Sequence, residues 1–302
     1  MGLLDDVRAT CAAIAADARS VRIDDERLAE YDAGAPDGRV VDPGLDAERH
    51  YLEGMPADVA TYQLALDTIN FGSGWFPTLD KRLDPTTGRT VSGYFTVAWN
   101  LADHFRAHGA WSAADLRAMR TEQIAAILGQ RADHELMALY AQALRELGRF
   151  LGDRGALDVV AEAGGSAERL ATTLARGMAL YDDRGFYKRA QIAANDLSLA
   201  GVARFDDLDA LTIFADNLVP HVLRCDGVLV YDPALAAHID AEHELPTGRE
   251  EREIRACALH ACELLGARLG VPPRVLDMWL WTRGQDPAMK ARPRHRCRTV
   301  YY

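Results

Sequence analysis

No run of about 18 apolar residues, the length that a membrane-spanning helix needs, occurs in this 302-residue chain, so no span is expected. Its start, MGLLDDVRAT, has no basic region followed by an apolar stretch, which argues against a secretory signal. Cysteine is scarce: Cys11, Cys225, Cys257, Cys262 and Cys297 are odd in number, scattered and free of any CxxC pair. That usage fits reduced thiols and a cytoplasmic location. Positive charge is in deficit, with 34 Lys and Arg against 45 Asp and Glu and a net charge of −11. A chain this acidic repels a phosphate backbone on average, so a small molecule is the expected partner and polymeric nucleic acid is not. GxGxxG, a Walker loop, GxSxG and HExxH are all absent, and no cofactor is expected.

What is present is the composition of a soluble globular protein, 49% hydrophobic and 26% charged. Apolar residues recur at three- and four-residue steps, and the fold class expected is all-α with few short strands. HELMALYAQALRELGRFL is the clearest amphipathic helix. SAADLRAMRTEQIAAILG reads as another, opened by Ser112 with Asp115 in its first turn and stopped at Gly129. Further helical runs are VATYQLALDTIN, AERLATTLARGMALYDD, FDDLDALTIFADNLV and EREIRACALHACELLGARLG. The best strand-like runs are VSGYFTV and VLVYD. Loops are expected over residues 32–44 and 284–297, neither long enough to link independent domains. One compact helical unit over residues 1–302, with two lobes meeting at a cleft, is the expected architecture; no feature fixes an oligomeric state.

Candidate chemistry rests on polar residues set into apolar segments. In LTIFADNLVPHVLR, read as part of a helix, Asp216 falls at the margin of the apolar stripe, where a carboxylate is partly desolvated. Pro220, four residues on, is expected to kink or stop that helix and free the Asp216 carbonyl. An ion pair with a nearby Arg is the plain alternative. Asp277 stands among Leu276, Met278, Trp279, Leu280 and Trp281, placed either to hold a cationic ligand group beside a stacking indole or to cap the short helix after Pro272 and Pro273. Lys188 and Arg189 beside Phe186 and Tyr187 could bind an anion, or simply snorkel from a helix start. The stretch KARPRHRCRTVYY gathers Lys290, Arg292, Arg294, His295, Arg296 and Arg298, then ends in aromatic and β-branched residues, which points to docked cations suited to a monophosphate. His260, Glu263 and Glu253 share a helix face, for which surface ion pairing is favoured over a metal site.

FYKRAQIAANDLS, LTIFADNLVP, EIRACALHACELL, LDMWLW and HRCRTVYY resemble, in order and spacing, the queuosine salvage protein family. His50, LDTINFGSGW and SGYFTVAWNL extend the similarity more loosely, so that it runs from about residue 50 onward. The resemblance implies an all-helical fold similar to that of DNA glycosylases. It also implies hydrolysis of the N-glycosidic bond of queuosine 5′-monophosphate, with release of queuine for reuse in transfer RNA. The family's catalytic Asp carries over onto Asp216. A base pocket of His50, Phe214 and Asp277 is implied, with Asn217 at its rim and Trp281 as a stacking surface, while Lys188, Arg189 and the basic stretch including Arg298 would receive the phosphate. Eukaryotic members tend to have Tyr and Arg where this chain has Asn217 and Leu218, and some carry an acid where it has Thr282. These departures bear on the choice between nucleotide and nucleoside. A non-catalytic helical protein that binds a modified nucleobase or a protein partner is the alternative.

Overall fold

The computed structural model describes residues 2–35 and 39–302. Among them are fifteen α-helices and a single two-stranded sheet, and no helix is long and apolar enough to cross a membrane. The strongest periodicity gives the helix Glu135–Leu151, which buries Leu136, Met137, Tyr140, Ala143, Leu144 and Leu147. His134 accepts its first-turn N–H from Leu136 at 3.2 Å. The long helix Arg249–Leu269 also follows the apolar pattern, whereas Pro56–Thr68 is buried on every side from Tyr62 to Thr68.

Three expectations are corrected. The run from Ser112 forms two helices, Ala113–Arg117 and Thr121–Ile127, rather than one. Ser112 and Asp115 do form a reciprocal cap, but Met119 turns into the core between the two helices, where its carbonyl accepts from Arg145. VSGYFTV is not a strand: Ser92 caps the helix Gly93–His108, whose buried face of Thr96, Val97, Leu101 and Phe105 outweighs the β propensity of its first residues. FDDLDALTIFADNLV is not a helix either. Residues 211–217 run without helical turns, and the helix Leu218–Cys225 begins only after Asp216. Pro220 therefore sits in a first turn, where its missing N–H costs nothing, and kinks no helix.

VLVYD does contain a strand, Leu229–Tyr231, paired antiparallel with Val21–Ile23 so that Val21 faces Tyr231. Of the expected loop at 32–44, residues 36–38 lie outside the described residues.

Apolar side chains gather into two clusters. One is built on the helices Pro56–Thr68, Gly93–His108, Glu135–Leu151, Ala167–Gly177 and Lys188–Leu199. The other joins the helix Leu3–Ala16 to Arg249–Leu269, Leu218–Cys225, Pro273–Arg283 and the sheet. Residues 291–302 are docked rather than frayed. Tyr302 is buried and its carbonyl accepts from Gly72 at 2.9 Å, while Leu245 donates to the Arg296 carbonyl at 2.8 Å. The approach is close enough that a Cβ on Gly74 would lie 2.4 Å from the Cys297 carbonyl oxygen.

Candidate active site

A cavity of about 370 Å³ opens where the two clusters meet. The extended stretch 211–215 forms part of its wall, and distant side chains hold it extended by taking its backbone polar groups. Thr212 N–H donates to Gln191 at 3.0 Å, Phe214 N–H donates to Asp277 at 2.8 Å, and the Ala215 carbonyl accepts from Arg255 at 2.9 Å. Arg255 is itself fixed by a buried ion pair with Asp183 at 2.6 Å, and Asp183 also accepts from the Lys188 N–H at 3.3 Å. One buried charge network thus sets the wall residue before Asp216 and the first residue of the Lys188–Leu199 helix. Neutralising one member of such a buried pair leaves the other uncompensated, which costs several kcal/mol.

Asp216 follows immediately and is half-buried on the cavity surface. Its Oδ1 accepts from the N–H groups of Leu218 at 2.7 Å and Val219 at 3.3 Å, so the carboxylate caps the positive end of the Leu218–Cys225 helix. Its Oδ2 makes no hydrogen bond among the described residues. No Arg forms an ion pair with it there, which removes the plain alternative. Asn217, next in the chain, donates to the His295 carbonyl at 3.1 Å and ties the cap to the docked basic segment.

Asp277 is in the second turn of Pro273–Arg283 and caps nothing; Pro272 holds the cap position. It is buried, and burial, with the Asp216 charge adding to it, pushes its carboxyl well above the usual carboxylate range. Trp281, one turn on, stands edge-on to Tyr94 and Phe95, both at 5.5 Å between ring centroids. His50 Nδ1 faces the Asp46 carbonyl at 2.8 Å, which requires that nitrogen to be the donor. Its Nε2 then accepts from the Tyr94 hydroxyl at 3.0 Å. Burial lowers the His50 pKa, in keeping with this neutral ring. Lys188 is buried with its ammonium 3.2 Å from the Asn70 carbonyl, and burial lowers its pKa against the opposing pull of Asp216 and Asp67.

The queuosine salvage protein family model matches residues 50–302. The chain belongs to the queuosine salvage protein family. A queuosine 5′-phosphate N-glycosylase/hydrolase of Sphaerobacter thermophilus is 32% identical to it, covering 98% of this chain and 97% of the relative. The proteins of the same name from Bos taurus and Nematostella vectensis are 28% and 27% identical, covering 96% and 85% of this chain.

In this family member the cavity brings together seven of the nine residues singled out from the sequence: His50, Lys188, Phe214, Asp216, Asn217, Asp277 and Trp281. Arg189 and Arg298 do not reach it. Arg189 is buried behind the wall, donating to the Thr68 and Leu180 carbonyls between the rings of Phe71 and Tyr181. Arg298 lies on the surface with Glu244 at 3.1 Å and Glu135 at 3.4 Å. Glu263 and Glu253 are occupied by Arg8 and Arg249, the ion-pair arrangement favoured for that helix face.

Sequence reading passed over Tyr94 and Asp196 and did not set Arg294 apart from its neighbours, yet all three are on the cavity wall. Tyr94 was hidden by the mistaken strand. Asp196 sits mid-helix with its carboxyl raised by burial to about 7, and nothing in its local pattern marks it. Arg294 was one cation among several, although the alternation of Arg292, Arg294, Arg296 and Arg298 was a visible sign of an extended segment with one charged side.

Proposed function

We propose that this chain hydrolyses the N-glycosidic bond of queuosine 5′-monophosphate, releasing queuine, with Asp216 as its catalytic residue. The observation that carries the reading is a carboxylate fixed by one oxygen to a helix start, with its other oxygen free of hydrogen bonds among the described residues, at the wall of a largely apolar cavity. Breaking the bond builds positive charge on the ribose. A preoriented carboxylate attracts that charge more strongly in the transition state than in the bound substrate, which is the requirement for catalysis. Water adds at the sugar carbon to leave ribose 5-phosphate, and the departing base nitrogen takes up a proton.

The leaving group shapes the rest of the site. A 7-deazapurine has carbon at position 7 and accepts no proton there, so its departure depends on stacking and on hydrogen bonds at its edge. Phe214 and Trp281 supply apolar and aromatic surface. His50 acts through Tyr94, whose hydroxyl it orients, because both of its ring nitrogens are already engaged. Asp277 receives the secondary ammonium of queuine, and a buried carboxyl with a raised pKa ionises when a cation arrives to compensate it. Lys188 lines the same cavity, and the Asp216 charge opposes the lowering of its pKa by burial. Solubility and a cytoplasmic setting go with this role, as does a small-molecule partner rather than polymeric nucleic acid.

The test is incubation of the purified chain with queuosine 5′-monophosphate, followed by chromatography. Equal amounts of free queuine and ribose 5-phosphate are expected. Tight queuine binding without any release of base would overturn the reading in favour of a non-catalytic nucleobase-binding protein.

A further inference from the structure

The helices Pro56–Thr68 and Lys188–Leu199 pack against each other, and polar groups are buried along them. The first contributes Gln63 and Asp67, one turn apart, and the second contributes Asn195 and Asp196. Five side-chain atoms of this group have no hydrogen-bond partner among the described residues: both carboxylate oxygens of Asp67, Oε1 and Nε2 of Gln63, and Oδ1 of Asn195. Unpaired polar atoms in a core cost stability, so their presence calls for a use. Of the four residues, Asp196 reaches the cavity. Asn195 Nδ2 donates to its Oδ1 at 3.1 Å, and its Oδ2 makes no hydrogen bond among the described residues. The chemistry assigned to Asp216 and Asp277 leaves Asp67 and Asp196 idle.

The charges around the two carboxyls decide their protonation. Lys188 is the cation that both of them feel, and Asp216 draws on the same ammonium. Arg189 also acts on Asp67, but its guanidinium is bonded to the Thr68 and Leu180 carbonyls. Asp42, from the loop before His50, and Asp277, from Pro273–Arg283, add negative charge. Tyr62 and Tyr94 stay neutral: burial raises both, and their hydroxyls donate to the Ala98 carbonyl and to His50. Two ionised carboxylates would therefore leave buried negative charge uncompensated, and the pair retains a proton. Burial holds Asp67 well above the usual carboxylate range, with the Asp196 charge adding to it, and burial raises Asp196 to about 7. Because the Asp196 charge acts on Asp67, the second proton leaves the pair only above the pH at which the first does.

We propose that Asp196 is the general acid of the reaction, handing the proton it shares with Asp67 to the departing base, and that Asp67 is the positioning residue that keeps this proton at the cavity wall. The inference rests on the reading of the chain as a queuosine 5′-monophosphate hydrolase. As the bond between the ribose anomeric carbon and the base nitrogen breaks, its electron pair stays with the base and takes the proton from Asp196 Oδ2. Water forms the new bond to the anomeric carbon and gives its proton to the free oxygen of Asp216. After the products leave, Asp216 releases that proton to solvent and the pair regains one from solvent, so no further reactant is consumed. A donor of this kind answers the chemistry of a 7-deazapurine, which without a proton at the breaking bond departs as a basic anion. Asp277 does not serve: it accepts from the Phe214 N–H, and once it faces the queuine ammonium it is ionised.

Two measurements on the full-length chain test it. The first compares queuosine 5′-monophosphate with p-nitrophenyl β-D-ribofuranoside 5-phosphate, whose leaving group departs as a stable anion and needs no proton. Asp196→Asn, which keeps the size and neutrality of the protonated carboxyl, is expected to lower kcat about 10²-fold on the nucleotide and to stay within about threefold on the nitrophenyl compound. Asp216→Asn is expected to lose activity on both. An equal loss of Asp196→Asn on the two substrates, or no loss on either, refutes the general acid. The second is the pH dependence of kcat for the nucleotide. In Asp67→Asn the proton rests on Asp196 alone, so the alkaline fall is expected near pH 7, at least about one pH unit below that of the wild type. Coincident profiles overturn the role of Asp67. A wild-type chain that releases no base from the nucleotide overturns the activity and this inference together, whereas full activity in Asp196→Asn overturns the inference alone.

Discussion

Asp216 and Asp277 border the same cavity and differ in almost everything else. Asp216 is half-buried, capped on a helix start by two backbone N–H groups, and free on one oxygen. Asp277 is buried in mid-helix, accepts one backbone N–H, and is driven toward its neutral form by burial and by Asp216 itself. In the function proposed above, the first carboxyl meets charge that develops during reaction and the second ionises only when a cationic ligand arrives. Two acids of the same type have different surroundings because the elements around them differ, and the proposal assigns them different roles on that ground.

The sharpest way to break this contrast is Asp216→Asn. The amide oxygen can still accept from Leu218 and Val219, so the protein is expected to fold normally, by circular dichroism, while kcat falls at least ~10³-fold. Retention of activity would sink the assignment. Asp277→Asn is expected to weaken queuine binding about 10- to 100-fold, by calorimetry, through loss of a buried charge partner. Its effect on stability has the opposite sign. A carboxyl whose folded pKa lies above its unfolded value of about 4 binds its proton more tightly in the native state, so the fold loses stability as pH rises between those two values. Asparagine removes that loss, and the Tm of the variant is expected to exceed that of the wild type at pH 7 but not at pH 4. An equal Tm difference at both pH values would place Asp277 outside this account.

Trp281→Ala removes a stacking face and leaves both acids in place. The expected effect is about a 5- to 50-fold rise in KM with a smaller change in kcat. Arg298→Gln is the smallest. An exposed pair with Glu135 and Glu244 contributes little, so kcat/KM is expected to stay within about twofold. A large loss there would return Arg298 to the phosphate.

The contrast between the two acids was only half legible beforehand. Both stood out as carboxylates in apolar surroundings, and the resemblance implied their roles. The reading of Asp216 as a residue on a continuous helix was wrong, as was the capping alternative for Asp277. Tyr94 was not legible because the aromatic and β-branched run around it suits a strand locally, and only the Ser92 cap and the buried face farther along make it a helix start. The pairing of Arg292, Arg296 and Arg298 with Asp240, Glu242 and Glu244 could not be read locally, because those acids lie some fifty residues earlier in the chain.

Local pattern by itself determined the helix Glu135–Leu151 and the start of Ala113–Arg117, because their stability lies in an apolar stripe and in caps that neighbouring residues provide, His134 and Ser112. The shape of residues 211–217 was decided only when the chain closed. Their apolar spacing suits a helix, but Gln191, Arg255 and Asp277, brought from three other helices, take the backbone groups at Thr212, Phe214 and Ala215. Buried backbone groups bond wherever partners are supplied. Those partners came from far along the chain, and they left Asp216 at the start of a helix, beside the cavity.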